Sequence, residues 1–182
     1  MILSNSLFFN SEFCNGCPYN NCPHLDNKLK KAPIKSELNH SNTLLVFQSP
    51  GKDEWSGNNG TTERLPIISK SSHSAAARMR KSFARKNLSR EDFDITEAVL
   101  CYPGQYGNGR DKKPRKNAVI KCNKHLVKMI LNWNYSTIVS FGDIANRAVN
   151  KALENLKMPN IKHKISKHPC YRISNKDLDK SY

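Results

Sequence analysis

Residues 136–149 read STIVSFGDIANRAV. Thr137 to Phe141 form a strongly apolar, β-branched run with the character of a strand, and Gly142 ends it. From Asp143 to about Leu156 the apolar residues fall at helical spacing, so the stretch reads as strand, glycine turn and helix. The same alternation extends outward. Upstream, NTLLVFQSPGKDEW (42–55) holds a buried strand, Leu44 to Phe47, broken by Pro50 and Gly51. A Gly/Asn/Thr loop follows at 56–66. Ala75, Met79 and Phe83 then mark one face of a basic amphipathic helix from Ser71 to about Asn87. A strand is expected from about Phe93 to Leu100, then the glycine-rich basic loop PGQYGNGRDKKPRK (103–116), then a helix with Val119, Cys122, Leu126, Met129 and Ile130 on one face. Downstream, IKHKIS (161–166) is a short last strand leading into KHPCYR.

Strands alternating with helices predict an α/β fold: a three-layer α/β/α sandwich around a central four-stranded, mostly parallel sheet. One domain is expected over 1–182, with a cysteine-bearing amino-terminal segment at about 1–40. In such sheets ligands bind beyond the carboxyl ends of the strands. Four segments end at that rim: QSPG, the region from Glu97 to Gly104, FGD and KHP.

Lys and Arg outnumber Asp and Glu by 30 to 15, a formal charge of +15, which favours a polyanionic partner such as nucleic acid. Mean hydropathy is −0.68, and no segment approaches the ~20 apolar residues of a membrane span. The start MILSNSLFF lacks the basic residues of a secretory signal, so a cytoplasmic protein is expected. No protein partner is evident, and a monomer is expected. Six cysteines in a reducing compartment point to metal ligands, reactive thiols or core residues more than to disulfides. Cys14 and Cys17 form a C-x2-C pair in a turn, and Cys101 and Cys122 bracket the basic loop. Four thiolates split two and two in this way fit zinc or an iron–sulfur cluster, and spacing alone leaves both open. Cys22 and Cys170 are left over.

Several segments together resemble the iron–sulfur branch, family 4, of the uracil-DNA glycosylase superfamily, over almost the whole chain. NLSREDFDITEAVLC (87–101) is similar to the family's turn and strand before a cluster cysteine. Residues 101–122 resemble its intercysteine loop, TIVSFGDIANRAV its strand-Gly-x-x-Ala helix start, and KHPCYRI its His-Pro motif, while FQSPGKDE stands where the family has Gly-Glu-Ala-Pro-Gly. The resemblance implies a DNA glycosylase that acts on an extruded base. It also implies that Cys14, Cys17, Cys101 and Cys122 hold a structural [4Fe–4S] cluster. His168 then occupies the position that stabilises charge on the departing base at O2, in the manner of an oxyanion hole. Gln48 and Ser49, with the turn at Pro50 and Gly51, would fix the sugar, a water or the base edge. Basic residues in 78–86 and 110–116 would hold phosphates: Arg78, Arg80, Lys81, Arg85, Arg110, Lys112, Lys113, Arg115 and Lys116.

Three positions depart from the family. Gln48 replaces an acidic residue, and neither it nor Ser49 is a good general base, so water activation would rely on positioning or on Asp53 or Glu54. Ile67 replaces the phenylalanine on which uracil stacks, a loss of roughly 1–3 kcal/mol unless compensated. Glu97 stands at the asparagine that reads the uracil edge. An ionised glutamate only accepts hydrogen bonds, so it repels uracil O4 and suits the N4 amino group of cytosine. Because cytosine is a normal base, the expected substrate is a modified cytosine, such as those in the DNA of some bacteriophages. A Glu97 kept protonated in an apolar pocket would instead preserve uracil excision for base-excision repair. Loss of catalysis would leave a DNA-binding module carrying the cluster.

Overall fold

The computed structural model describes residues 14–19, 33–34, 36–52, 55, 75–158, 160–170 and 173–182. The elements in chain order are β1 (Thr43–Phe47), α1 (Ala75–Arg85), β2 (Asp94–Glu97), α2 (Lys116–Asn132), β3 (Thr137–Phe141), α3 (Asp143–Leu156), β4 (Lys162–Ser166) and α4 (Asn175–Asp179). The four strands form one sheet in the order β2-β1-β3-β4, and every pairing is parallel. All four carboxyl ends therefore emerge along one rim.

The alternation read at 136–149 is what separates the two packed layers. Successive strand residues point to opposite faces. Leu44, Val46 and Ile138 pack with Leu126, Met129 and Ile130 of α2 and Ala145, Ala148 and Val149 of α3. Leu45, Ile95, Val139 and Phe141 pack on the other face with Met79 and Phe83 of α1 and Leu178 of α4. A third cluster beyond the rim joins Val99, Leu100, Cys101 and Tyr102 to Ala118 and Cys122 of α2, and to Cys17, Tyr19, Ile34 and Trp55. Among the described residues no helix is long and apolar enough to cross a membrane.

The second strand is shorter than its apolar run suggests. Expected to reach Leu100, it ends at Glu97, because the chain then follows β1 as that strand turns. Ala98 N donates to Phe47 O and Val99 N to Gln48 O, while Leu100 O accepts from Ile34 N. Apolar character persists past the strand end because Ala98 to Tyr102 remain buried. The first described helix begins at Ala75, with 71–74 outside the described residues. The short α4 was not expected. Its cap is Ser174, whose hydroxyl accepts from Asp177 N at 3.1 Å.

Candidate active site

Strand β2 carries a carboxylate at each end, and their surroundings differ. Asp94 is fully buried and accepts from Asn39 N (2.7 Å), Ser41 N (3.1 Å) and Tyr135 Oη (2.7 Å). Burial, reinforced by that bond, drives the Tyr135 phenol far above its usual value. Asp94 is thus committed to tying β2 to the loop before β1. Glu97, at the carboxyl end, is 4 % exposed. It lies in register with Phe47 of β1. Strand alternation gives Glu97 the face of Ile95, which Phe47 and Phe141 also line. The rings of Phe47 and Phe141 stack with centroids 4.6 Å apart and planes 6° from parallel. Phe141 is fully buried and Phe47 half-buried, so the pair forms a flat aromatic ledge beside the carboxylate.

Gln48 and Ser49 continue β1 and are half-buried, while Pro50 is buried. Gly51 accepts from Trp55 N at 3.0 Å. Ile67, Asp53 and Glu54 lie outside the described residues.

The ends of β3 and β4 close on each other. Gly142 N donates to Ser166 O at 2.8 Å. Gly142 has φ 89° and ψ 166°, a region open essentially to glycine alone. A Cβ there would lie 3.1 Å from His168 Cβ, so the glycine is required twice over. His168 is half-buried, and its Nδ1 accepts from Cys170 N at 3.3 Å. A backbone N–H can only donate, so Nδ1 is the unprotonated nitrogen and the neutral ring carries its hydrogen on Nε2. Burial pushes the imidazole below its ordinary 6.5, which keeps it neutral at physiological pH. The result is a neutral, oriented hydrogen-bond donor at the sheet rim.

What holds the loop after His168 is a residue assigned from sequence to phosphate binding. Arg78 of α1 donates through Nη1 to Pro169 O and through Nη2 to Ile173 O. Arg85 is likewise committed, with Nε and Nη2 donating to Asp179 at 2.8 and 2.6 Å. These two guanidiniums pin the carboxyl-terminal segment to α1. The cations of the 103–116 loop differ: Arg110, Lys113, Arg115 and Lys116 are exposed and Lys112 half-buried.

Cys14, Cys17, Cys101 and Cys122 are all buried, at 8, 8, 8 and 5 % exposure. Cys17 N donates to Cys14 O at 2.8 Å, a turn that needs Gly16 at φ +70°, and Lys121 of α2 lies over it with Nζ 3.5 Å from the Gly16 Cβ position. Burial pushes the Cys122 thiol up to about 12, with Cys17 and Cys14 adding to the rise, and Cys17, Cys101 and Cys122 pack in one buried cluster. Burial and Cys17 raise Cys14 as well. Among the described residues no three His, Cys, Asp or Glu side chains stand ready to hold a metal ion as they are. The indole Nε1 of Trp55, in the same cluster, is buried with no hydrogen-bond partner among the described residues. Cys22 lies outside the described residues, and Cys170 is exposed with its backbone N–H on His168.

Sequence reasoning missed one residue of this site, Phe47, and the hydrogen bonds made by another, Arg78. Phe47 stands at the first glycine of Gly-Glu-Ala-Pro-Gly, and that exchange was the available signal. Arg78 gave none, because a cation on a basic helix looks alike whether it faces solvent or two carbonyls.

A four-stranded parallel sheet flanked by helices, whose carboxyl rim carries Glu97 and the Gly142–His168 contact, has the three-layer α/β/α architecture of a glycosylase-type fold. The chain belongs to the uracil-DNA glycosylase superfamily, whose family model matches residues 16–182. Members of that superfamily are DNA glycosylases, so DNA is the macromolecule this chain acts on. No curated protein matches the chain.

Proposed function

We propose that this chain is a monofunctional DNA glycosylase that hydrolyses the N-glycosidic bond of a flipped-out, amino-bearing pyrimidine, a modified cytosine. The observation that supports it best is that a neutral His168 donor after β4 and the buried Glu97 at the end of β2, next to the Phe47–Phe141 ledge, both stand at the carboxyl rim of one parallel sheet. The bond between C1′ and N1 breaks with its electron pair leaving on the base, and the charge spreads to O2. His168 Nε2–H stabilises that oxygen by hydrogen bonding, a contact that strengthens as charge develops. Water adds to C1′ and loses a proton to solvent, leaving an abasic site. Gln48 and Ser49 orient the sugar and that water rather than removing its proton. Glu97 accepts from the exocyclic amine, and Phe47 supplies stacking area that compensates for Ile67.

Cys14, Cys17, Cys101 and Cys122 would hold a [4Fe–4S] cluster, with zinc the alternative. The group would supply a structural cross-link between the amino-terminal turn, the segment after β2, and α2, since hydrolysis needs no electron transfer. The donor set fits: four buried sulfurs, among them the Cys14 and Cys122 thiols whose raised proton affinity a bound cation would overcome, beside a buried Trp55 N–H that has no partner among the described residues. Iron and sulfide content with visible absorption, against zinc content, decides between the two groups.

The function is tested by incubating the protein with oligonucleotides containing uracil, cytosine, hydroxymethylcytosine or glucosylated hydroxymethylcytosine, then cleaving abasic sites with alkali. Release of a modified cytosine is expected, and His168→Ala should lower it by about a hundred- to a thousandfold while sparing DNA affinity. Release of uracil alone would overturn the amine reading, and no release from any substrate would overturn the enzyme reading.

A further inference from the structure

The loop between Cys101 and α2 is folded, and its construction serves a single exposed ring. Residues 104–112 form a hairpin with Gln105 bridged to Asp111. Lys112 N donates to Gly104 O and Tyr106 N to Arg110 O, both at 2.8 Å, and Gly109 N donates to Tyr106 O at 2.9 Å. Side chains close the tip: Gln105 Nε2 donates to Gly109 O (2.9 Å) and Arg110 N to Asn108 Oδ1 (3.2 Å). The base is anchored by Tyr102, buried, whose hydroxyl donates to Asp111 Oδ1 at 2.9 Å. The second tyrosine is treated differently. Tyr106 is 53 % exposed, and nothing lies within 4 Å of a Cβ placed at Gly107 or Gly109. Lys112 Nζ sits 5.9 Å from its ring centroid. Asp111 is the one acid in 104–116, and Tyr102 engages it, while Arg110, Lys113, Arg115 and Lys116 are exposed.

An aromatic ring held out on a preorganised tip among cations has the two elements by which proteins bind unpaired strands, a stacking face and a phosphate track. We infer that Tyr106 is a stacking platform for an unpaired nucleobase of a single-stranded DNA segment, whose phosphates are held by Arg110, Lys112, Lys113, Arg115 and Lys116. The inference takes DNA as the partner from the functional reading, and adds a second contact away from the base-reading rim.

The test uses the full chain and a short single-stranded oligonucleotide that holds no excisable base but carries a fluorescent adenine analogue quenched by stacking. Titration should quench the analogue with the parent protein and with Tyr106→Trp, but not with Tyr106→Ala. The alanine variant should bind about tenfold more weakly. Its slope of log affinity against log salt should match the parent's because no charge is lost, whereas Lys112→Ala should reduce that slope by about 1. Parent-like binding by Tyr106→Ala, or an equal loss on blunt duplex DNA, would overturn the inference. Failure of excision with Tyr106-dependent quenching would remove the glycosylase reading and leave this one standing. Excision together with a neutral Tyr106→Ala would do the reverse.

Discussion

Two carboxylates on one four-residue strand show how position decides what a charge is for. Asp94 accepts three hydrogen bonds at the amino end of β2 and works as a structural tie. Glu97 stands where the strand opens onto the rim, next to an aromatic ledge. Replacing it with asparagine restores both a donor and an acceptor. We expect Glu97→Asn to lower release of an amine-bearing base and raise release of uracil. A good base-edge pair discriminates by about 1–3 kcal/mol, so the ratio of the two rates should move about ten- to a hundredfold. Unchanged preference in competition assays on mixed oligonucleotides would remove Glu97 from base reading. Gly142 is a second residue whose role follows from geometry. Gly142→Ala faces a backbone penalty of about 1–3 kcal/mol and a 3.1 Å approach to His168 Cβ. Excision should fall more than stability does, since the atom displaced belongs to the histidine. Denaturant unfolding alongside single-turnover rates would separate the two.

Strands and helices set where those residues stand, and much of that was readable in advance. Continuous apolar runs with glycine punctuation at 136–149 and 42–51 mark strands and the turns that end them, because a buried parallel strand must be apolar and must stop before the chain turns back. The carboxyl rim followed from that order alone. The end of β2 was not readable, since Val99 to Tyr102 are buried by the cysteine-bearing cluster rather than by the sheet, and burial is all that an apolar run reports. The hydrogen bonds of Arg78 and Arg85 were not readable for the converse reason: charge pattern does not reveal partners, and their acceptors are within hydrogen-bond reach in space but far off in sequence. Arg78 ties α1 to the carbonyls of Pro169, next to His168, and Ile173, so it is a positioning residue. Arg78→Ala should lower the excision rate at saturating DNA while affinity and its salt slope stay near parental, whereas loss of a phosphate contact would reduce the slope by about 1. A reduced slope would return Arg78 to the DNA interface.

Across the whole molecule, two histidines held neutral couple stability to pH. His163 of β4 donates from Nδ1 to Asn150 Oδ1 of α3 (3.0 Å), and its Nε2 accepts from the buried Ser140 hydroxyl of β3 (2.9 Å). Protonation would remove the Nε2 lone pair that accepts from that hydroxyl. Burial holds both His163 and His168 below their ordinary 6.5. Between those lowered values and 6.5 the unfolded chain binds more protons than the folded one, so stability rises with pH across that window. The contribution is complete above the unfolded value and is lost as pH falls through the folded ones. Asp179 acts in a separate range, since the hydrogen bond from Arg85 holds its carboxyl at about 2 against an ordinary 3.8. Urea midpoints should therefore decline in two stages on acidification, first below neutrality and again in the carboxylate range. His163→Gln, which keeps an amide able to donate and accept, should shrink the first stage and leave the second intact. Combination with His168→Gln should flatten the first stage altogether. A first stage that survives both substitutions would mean that other groups carry it and that neither imidazole is neutral for the reason given.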